Sequence, residues 1–258
     1  TQFASSAASD VYKRQLWIPE MIFGHLRTST NYDKDEKKIV GGKNGFGFKL
    51  VLIYSLWGEI ETVDATRGLK YTQRFEKNLS KINKPNVRKS KATPYTKVSW
   101  LPDYKRFGIT DLKSDIFLNM FRMFKKRTYD VAAVTDKSIK VTFNKSVVPV
   151  RTFENYIDMF IGSKTDTKRV YEKFNDRWEY AVCISPLDEF AHISFVNGIN
   201  TMKGGKHVEY LLNQLVKKLT EYIKKKKKVT VKPTTIKEQL MLFAVSYTHL
   251  TLPTIRTV

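Results

Sequence analysis

Apolar residues return every three or four positions between 208 and 223. Val208, Leu211, Leu212, Leu215, Val216, Leu219, Tyr222 and Ile223 fall on one helical face. The pattern predicts a long helix that leaves Gly204-Gly205, buries that face to its end and stops in the lysine run from Lys224 to Lys228. A similar stripe, Ile116, Met120, Phe121 and Phe124, predicts a helix over 114–128. Shorter helices are expected over 153–161 and over 19–27, where Pro19 suits the first turn. Residues 45–54 (Phe46, Phe48, Leu50, Val51, Ile53) predict a helix opening from a glycine-rich turn. Strand character appears at 58–75, 95–100, 139–143, 178–184, 192–196 and 229–231, and a further element begins over 236–243. Residues 28–42 read as a loop and 77–92 as a loop or hairpin tip. The polar stretch GSKTDTK at 162–168 is the expected domain boundary. Mixed strands and helices on both sides of it indicate layered α+β architecture.

Composition narrows the choice. A hydrophobic content of 41% with 13% aromatics supports a packed core and excludes wholesale disorder. No apolar run is long enough to cross a bilayer as a helix. A single cysteine, Cys183, excludes an intramolecular disulfide framework and a cysteine-rich zinc site, and fits a reducing compartment. Lysine and arginine outnumber aspartate and glutamate 46 to 25 over 258 residues, for a net charge of +21. Such an excess favours a polyanionic partner, nucleic acid above all.

The two ends read as foreign to the rest. Residues 5–15 can be encoded by a DNA stretch whose reverse complement, in another frame, encodes residues 245–254. That DNA resembles a sequencing-library adapter. Residues 1–15 and 244–258 are therefore expected to be adapter-derived tails, with 1–15 and 245–258 packing poorly and Ala244 ambiguous. Residues 16–243 remain as native protein, expected to continue at both ends in the parent chain. Setting aside the charged residues of the tails leaves the basic excess nearly intact.

The chemistry concentrates at Gly41-Gly42-Lys43-Asn44-Gly45-Phe46-Gly47-Phe48-Lys49. Glycines at this density let backbone amides approach an anion without a side chain in the way. The helix expected next would set its N-terminus beside them, and Lys49 can add a point charge for a phosphate. The spacing is not that of the Walker loop. A glycine-rich hairpin with a solvated lysine would show the same residues. Just upstream, Ser29, Thr30 and Asn31 offer hydroxyl and amide groups suited to a nucleotide, or to an ordinary helix cap.

Residues 19–26 (PEMIFGHL), 28–33 (TSTNYD), 35–38 (DEKK) and 41–50 (GGKNGFGFKL) resemble, in nearly gap-free order, the ATPase region of eukaryotic-type DNA topoisomerase II. The resemblance continues through 95–103, 127–132, 195–208 and 224–233 and covers essentially all of 16–243. It implies the C-terminal part of a Bergerat-type (GHKL) ATPase α/β sandwich over 16–161. A transducer domain of ribosomal-protein-like β-α-β fold would follow over 162–243, the whole being α+β and incomplete at both ends. It further implies ATP with Mg2+ as cofactors, double-stranded DNA and a second copy in a homodimer as partners, and no membrane. The location would be the nucleus for a cellular source and the cytoplasm for a viral one.

Residue by residue, the resemblance implies that Ser29, Thr30 and Asn31 contact nucleotide, Thr30 standing where the family has serine. Gly42, Lys43, Asn44, Gly45, Phe46, Gly47, Phe48 and Lys49 correspond to its phosphate loop. Lys43 replaces an arginine and loses the planar fork; Phe46 replaces a tyrosine, and Phe48 a small alanine. Thr96 matches a threonine that helps position adenine, and Lys224, Lys225 and Lys226 match a lysine triplet assigned to DNA contact. The family's general base and magnesium-holding asparagine match nothing after residue 16, and its terminal-phosphate lysine nothing before 243. No catalytic residue or metal ligand is therefore expected here, and the chain alone is expected not to hydrolyse ATP. Two alternatives remain open: a basic nucleic-acid-binding module without catalysis, and another ATPase of the same superfamily.

Overall fold

The computed structural model describes residues 16–29, 41–42 and 44–247. These form two compact units: residues 16–29, 42 and 44–117 make the first, and Gly41 with residues 118–247 the second.

The first unit contains α1 (Ile18–Gly24), α2 (Gly47–Ile53), β1 (Ser55–Asp64), β2 (Leu69–Glu76), β3 (Lys81–Ile82), β4 (Asn86–Lys89), β5 (Tyr95–Pro102), a 3-10 turn at Tyr104–Phe107 and the start of α3 (Asp115–Ala133). β1 lies between β2 and β5, antiparallel to both, so that Thr62 faces Tyr71 on one side and Thr96 on the other. β3 and β4 both pair with β2. Alternate β2 residues, Tyr71, Gln73 and Phe75, point inward. Gln73 is buried but satisfied: it accepts from the Tyr71 hydroxyl at 2.6 Å and donates to the Asn83 carbonyl at 2.9 Å. Leu52, Ile60 and Phe75 form the core, with Phe23, Phe48 and Val98 against them. Gly58 sits mid-strand because α2 packs there; a Cβ would come within 2.1 Å of Leu52.

The second unit holds the rest of α3, the hairpin β6 (Thr142–Phe143) and β7 (Ser146–Val147), α4 (Phe153–Ile161), β8 (Arg169–Asn175), β9 (Trp178–Ile184), β10 (Ala191–Val196), β11 (Ile199–Asn200), α5 (Lys206–Lys227), α6 (Pro233–Glu238) and β12 (Leu240–Ser246). The strand order is β11-β10-β12-β9-β8. Only β10 and β12 run parallel within it, and α5 lies between them in sequence, the expected β-α-β crossover. β12 is buried along its whole length. Met241, Phe243 and Val245 face a cluster with Phe153, Ile157 and Phe195, while Leu240, Leu242 and Ala244 meet the α5 residues Val208, Leu211, Leu212 and Val216. Both faces of the sheet are thus covered, which is why β12 reads as an unbroken apolar run.

Several expectations change. The polar stretch 162–168 lies inside the second unit, because α4 before it buries Phe153, Tyr156 and Ile157 in that unit's core. Arg169 bridges the stretch, donating to Asp158 and to the Gly162 carbonyl. Residues 245–247 do not pack poorly: β12 continues through Ser246, and the Tyr247 hydroxyl donates to the Val134 carbonyl at 3.1 Å. A central strand position accepts apolar residues whatever encoded them. The other tail residues, 1–15 and 248–258, lie outside the described residues. The α5 face is not buried to its end, since Tyr222 is 59% exposed while Ile223 still packs against the second sheet's flank. The α3 stripe is exposed at Ile116, Phe121 and Phe124, and only its last turn enters the core. Residues 229–231 form no strand; the chain there runs from the left-handed Lys228 to Pro233 at the start of α6.

Candidate functional site

The glycine loop enters α2 at Gly47, and no side chain caps that helix. Gly42, Asn44, Phe46 and Gly47 are exposed, and nothing lies within 4 Å of a Cβ built at Gly42 or Gly47. Gly42 and Gly47 therefore leave room for an anion to approach where a side chain would otherwise stand. Gly45 is required by geometry. Its φ is +65°, and a Cβ would stand 2.4 Å from the Thr28 carbonyl oxygen. Phe48 turns inward and packs edge-on against Phe23, ring centroids 4.8 Å apart, so it joins α2 to α1. Lys49 also turns inward. Its ammonium donates to the Gly45 carbonyl at 2.5 Å and to Thr28 Oγ1 at 2.9 Å, and burial lowers its pKa.

The structure brings together Thr28, Gly45 and Lys49. Thr30, Asn31 and Lys43 lie outside the described residues; Ser29 is partly buried after α1. Thr96 stands on β5 opposite Thr62, hydroxyl to hydroxyl at 2.9 Å. Lys224, Lys225 and Lys226 are exposed in the last turn of α5. Successive helical residues are turned by about 100°, so the three form a charged pole rather than one flat face. Among the described residues no group of three or more His, Cys, Asp or Glu could hold a metal ion.

Sequence reasoning missed a buried ionic cluster in the second unit. Asp130, 1% exposed, accepts from the Tyr156 hydroxyl at 2.5 Å, from Lys126 at 2.7 Å and from Arg127 at 3.3 Å. It ties α3 to α4. Cations three and four residues before Asp130 were the available signal; the tertiary partner Tyr156 had none. A second knot precedes α5. Thr201 Oγ1 donates to the Ser194 carbonyl at 2.9 Å and lies 2.6 Å from the Ser194 hydroxyl and 3.2 Å from His207 Nε2. It holds the turn through Gly204, whose φ is +73°.

Comparison with known proteins identifies the family and the fold. The DNA gyrase B family profile matches residues 134–249. The chain is 43% identical over 235 residues to DNA topoisomerase 2 of Acanthamoeba polyphaga mimivirus, covering 90% of this chain and 18% of that protein. It is 41% identical over 248 residues to DNA topoisomerase 2 of Saccharomyces cerevisiae, covering 90% and 17%. It thus spans less than a fifth of these relatives. The crystal structure of the ATPase region of Saccharomyces cerevisiae topoisomerase II superposes with a TM-score of 0.80 at 40% identity, over 91% of this chain and 59% of that one. The ATPase and transducer domains of DNA topoisomerase II from Balamuthia mandrillaris give 0.80 at 36%, over 90% and 58%. By sequence and by fold, the chain belongs to the type II DNA topoisomerase family and corresponds to part of its ATPase region.

Proposed function

We propose that the chain is part of the ATP-operated gate of a type II DNA topoisomerase, and that the loop from Gly42 to Lys49 holds the nucleotide's phosphates. The observation that carries this reading is the exposed start of α2 at Gly47, which no side chain caps and which the chain enters through the left-handed Gly45. Aligned amides of this kind take up negative charge without a counter-ion. Ser29, Thr30 and Asn31 would add contacts to the nucleotide, and Thr96 would help to position adenine. ATP supplies the free energy of phosphoryl transfer when bound; this chain's residues bind and orient it. Mg2+ would accompany the nucleotide on residues outside this chain. The second unit would relay the nucleotide state toward the DNA, with Lys224, Lys225 and Lys226 meeting phosphates of double-stranded DNA without reading bases. The protein would act as a homodimer, in the nucleus of a cellular source or the cytoplasm of a virus-infected cell.

The test is ATP-dependent strand passage and DNA-stimulated ATP hydrolysis by the full-length protein. Both are expected. A full-length protein that changes DNA topology equally well without ATP would refute the reading.

A further inference from the structure

From Lys77 to Lys97 the first unit carries cations and no carboxylate. Lys84, Arg88, Lys89 and Lys91 are all exposed. Arg88 and Lys89 stand on β4, whose pairing with β2 sets Arg88 directly opposite Lys70 and Lys89 opposite Leu69. Hydrogen bonds hold the backbone beyond the strand as well: the Ser90 amide donates to the Gly68 carbonyl at 2.8 Å, and the Ala92 amide to Ser90 Oγ at 3.2 Å. The carboxylates of β1 and β2 are engaged by other cations. Glu61 pairs with Lys70 at 2.8 Å and Asp64 with Arg67 at 2.6 Å. Glu76 pairs with Lys81 at 2.9 Å and Arg74 at 3.1 Å, and Glu59 lies 3.9 Å from Arg74. Among the described residues, none of Lys84, Arg88, Lys89 and Lys91 forms an ion pair. Like charges directly opposite each other destabilise a sheet, so placing Arg88 across from Lys70 works against stability. Charge on an edge strand does deter pairing with another chain, but a single lysine does that.

We infer that Lys84, Arg88, Lys89 and Lys91 form a second surface for duplex DNA, carried by the first unit and made of different charges from Lys224, Lys225 and Lys226. The inference rests on the reading of DNA as partner and is independent of the glycine loop. From Lys84 to Lys91 the chain spans at most about 25 Å, room for several phosphates in a row and too spread to enclose one small anion. Cations along a strand edge meet phosphates one by one and read no bases, so the contact is independent of sequence. Each phosphate they neutralise releases counterions, so the contact is salt-dependent.

In the full-length protein, Arg88→Gln, Lys89→Gln and Lys91→Gln together should lower affinity for a mixed-sequence DNA duplex at least about tenfold near physiological salt, and flatten the log–log salt slope by up to about 2.7. Arg88→Lys should keep both, because the charge is used and the planar fork is not. Lys84→Gln with Lys91→Gln lies outside β4 and leaves its pairing intact; it should flatten the slope by up to about 1.8. ATP hydrolysis without DNA should stay at the wild-type rate in every variant. Wild-type affinity and slope in both glutamine variants would overturn the inference, and aggregation of those variants would then make the cations guards of the sheet edge. A loss seen with a polyglutamate peptide and not with DNA would overturn it in favour of an acidic protein partner. The Lys224, Lys225 and Lys226 triple alanine variant, titrated alongside, separates the two readings. If the wild type binds DNA and only that triple variant loses slope, the surface on the first unit fails alone. If the wild type binds no DNA, the reading of DNA as partner fails with it.

Discussion

Removing the Tyr156 hydroxyl tests whether the buried cluster at Asp130 holds α3 against α4. Both residues are almost wholly buried, and the hydroxyl donates to the carboxylate at 2.5 Å. A hydrogen bond to a charged group contributes roughly 1.5–3 kcal/mol. Tyr156→Phe leaves the carboxylate with Lys126 and Arg127, so its cost should stay near the lower end, about 2 kcal/mol. Asp130→Ala does more: it leaves the Tyr156 hydroxyl buried without an acceptor. Lys126 and Arg127 are about half exposed and can return to water, so they add no stranded charge. The lost charged hydrogen bond and the stranded hydroxyl together should cost about 2–4 kcal/mol, or a Tm lowered by roughly 4–16 °C. Chemical denaturation of residues 16–247, followed by circular dichroism, measures each variant and the double. The two losses should not add: Asp130→Ala in the Tyr156→Phe background should cost about 1.5–3 kcal/mol less than alone. A Tyr156→Phe cost below about 0.5 kcal/mol, or full additivity, would refute the reasoning.

Changing Lys224, Lys225 and Lys226 together to alanine should weaken DNA binding uniformly across sequences and flatten the log–log salt slope by up to about 2.7; an unchanged slope would place the DNA surface elsewhere. Burial, the first cause in each case, raises the pKa of Tyr71, Tyr156, Tyr171 and Tyr180 above the ordinary 10.0, with hydrogen-bonded Asp130, Glu179 and Glu172 adding to the last three. The folded chain therefore keeps protons that the unfolded chain releases, so this stability is complete below about pH 10 and is lost as pH rises further. The phenolate absorbance of Tyr156, read as the difference between wild type and Tyr156→Phe, should appear together with unfolding, and its appearance in the folded protein would contradict the assignment.

Much of the second unit is legible in sequence. The elements at 153–161 and 178–184 have the bounds expected of them, because their apolar patterns end at Gly162 and at polar Ser185. β8 was not expected: Arg169, Glu172 and Lys173 interrupt its apolar residues, as an edge strand allows. The strand expected at 229–231 failed because β-branched valines do not supply a strand to pair with; Val231 packs instead against the cluster of α5 and α6 residues. Tyr222 keeps the helical phase of Leu211 yet lies past the packed part of α5, which periodicity does not report. In the candidate site the glycines announce themselves, since the absence of a side chain is itself a sequence property. The direction of Lys49 does not. It depends on Thr28, which is brought to it only by the packing of α1 on α2.

The account stands most directly on the loop's shape, and Gly45→Ala in the full-length protein tests it. The left-handed φ and the 2.4 Å approach to the Thr28 carbonyl leave no room for a methyl group. Relieving that contact must displace the loop, at a strain of about 1–3 kcal/mol. Isothermal titration with ATP should show binding in the wild type and a loss of at least about tenfold in the variant, with the second unit's cooperative unfolding unchanged. ATP binding of equal strength in wild type and Gly45→Ala would contradict the assignment of this loop as the nucleotide site.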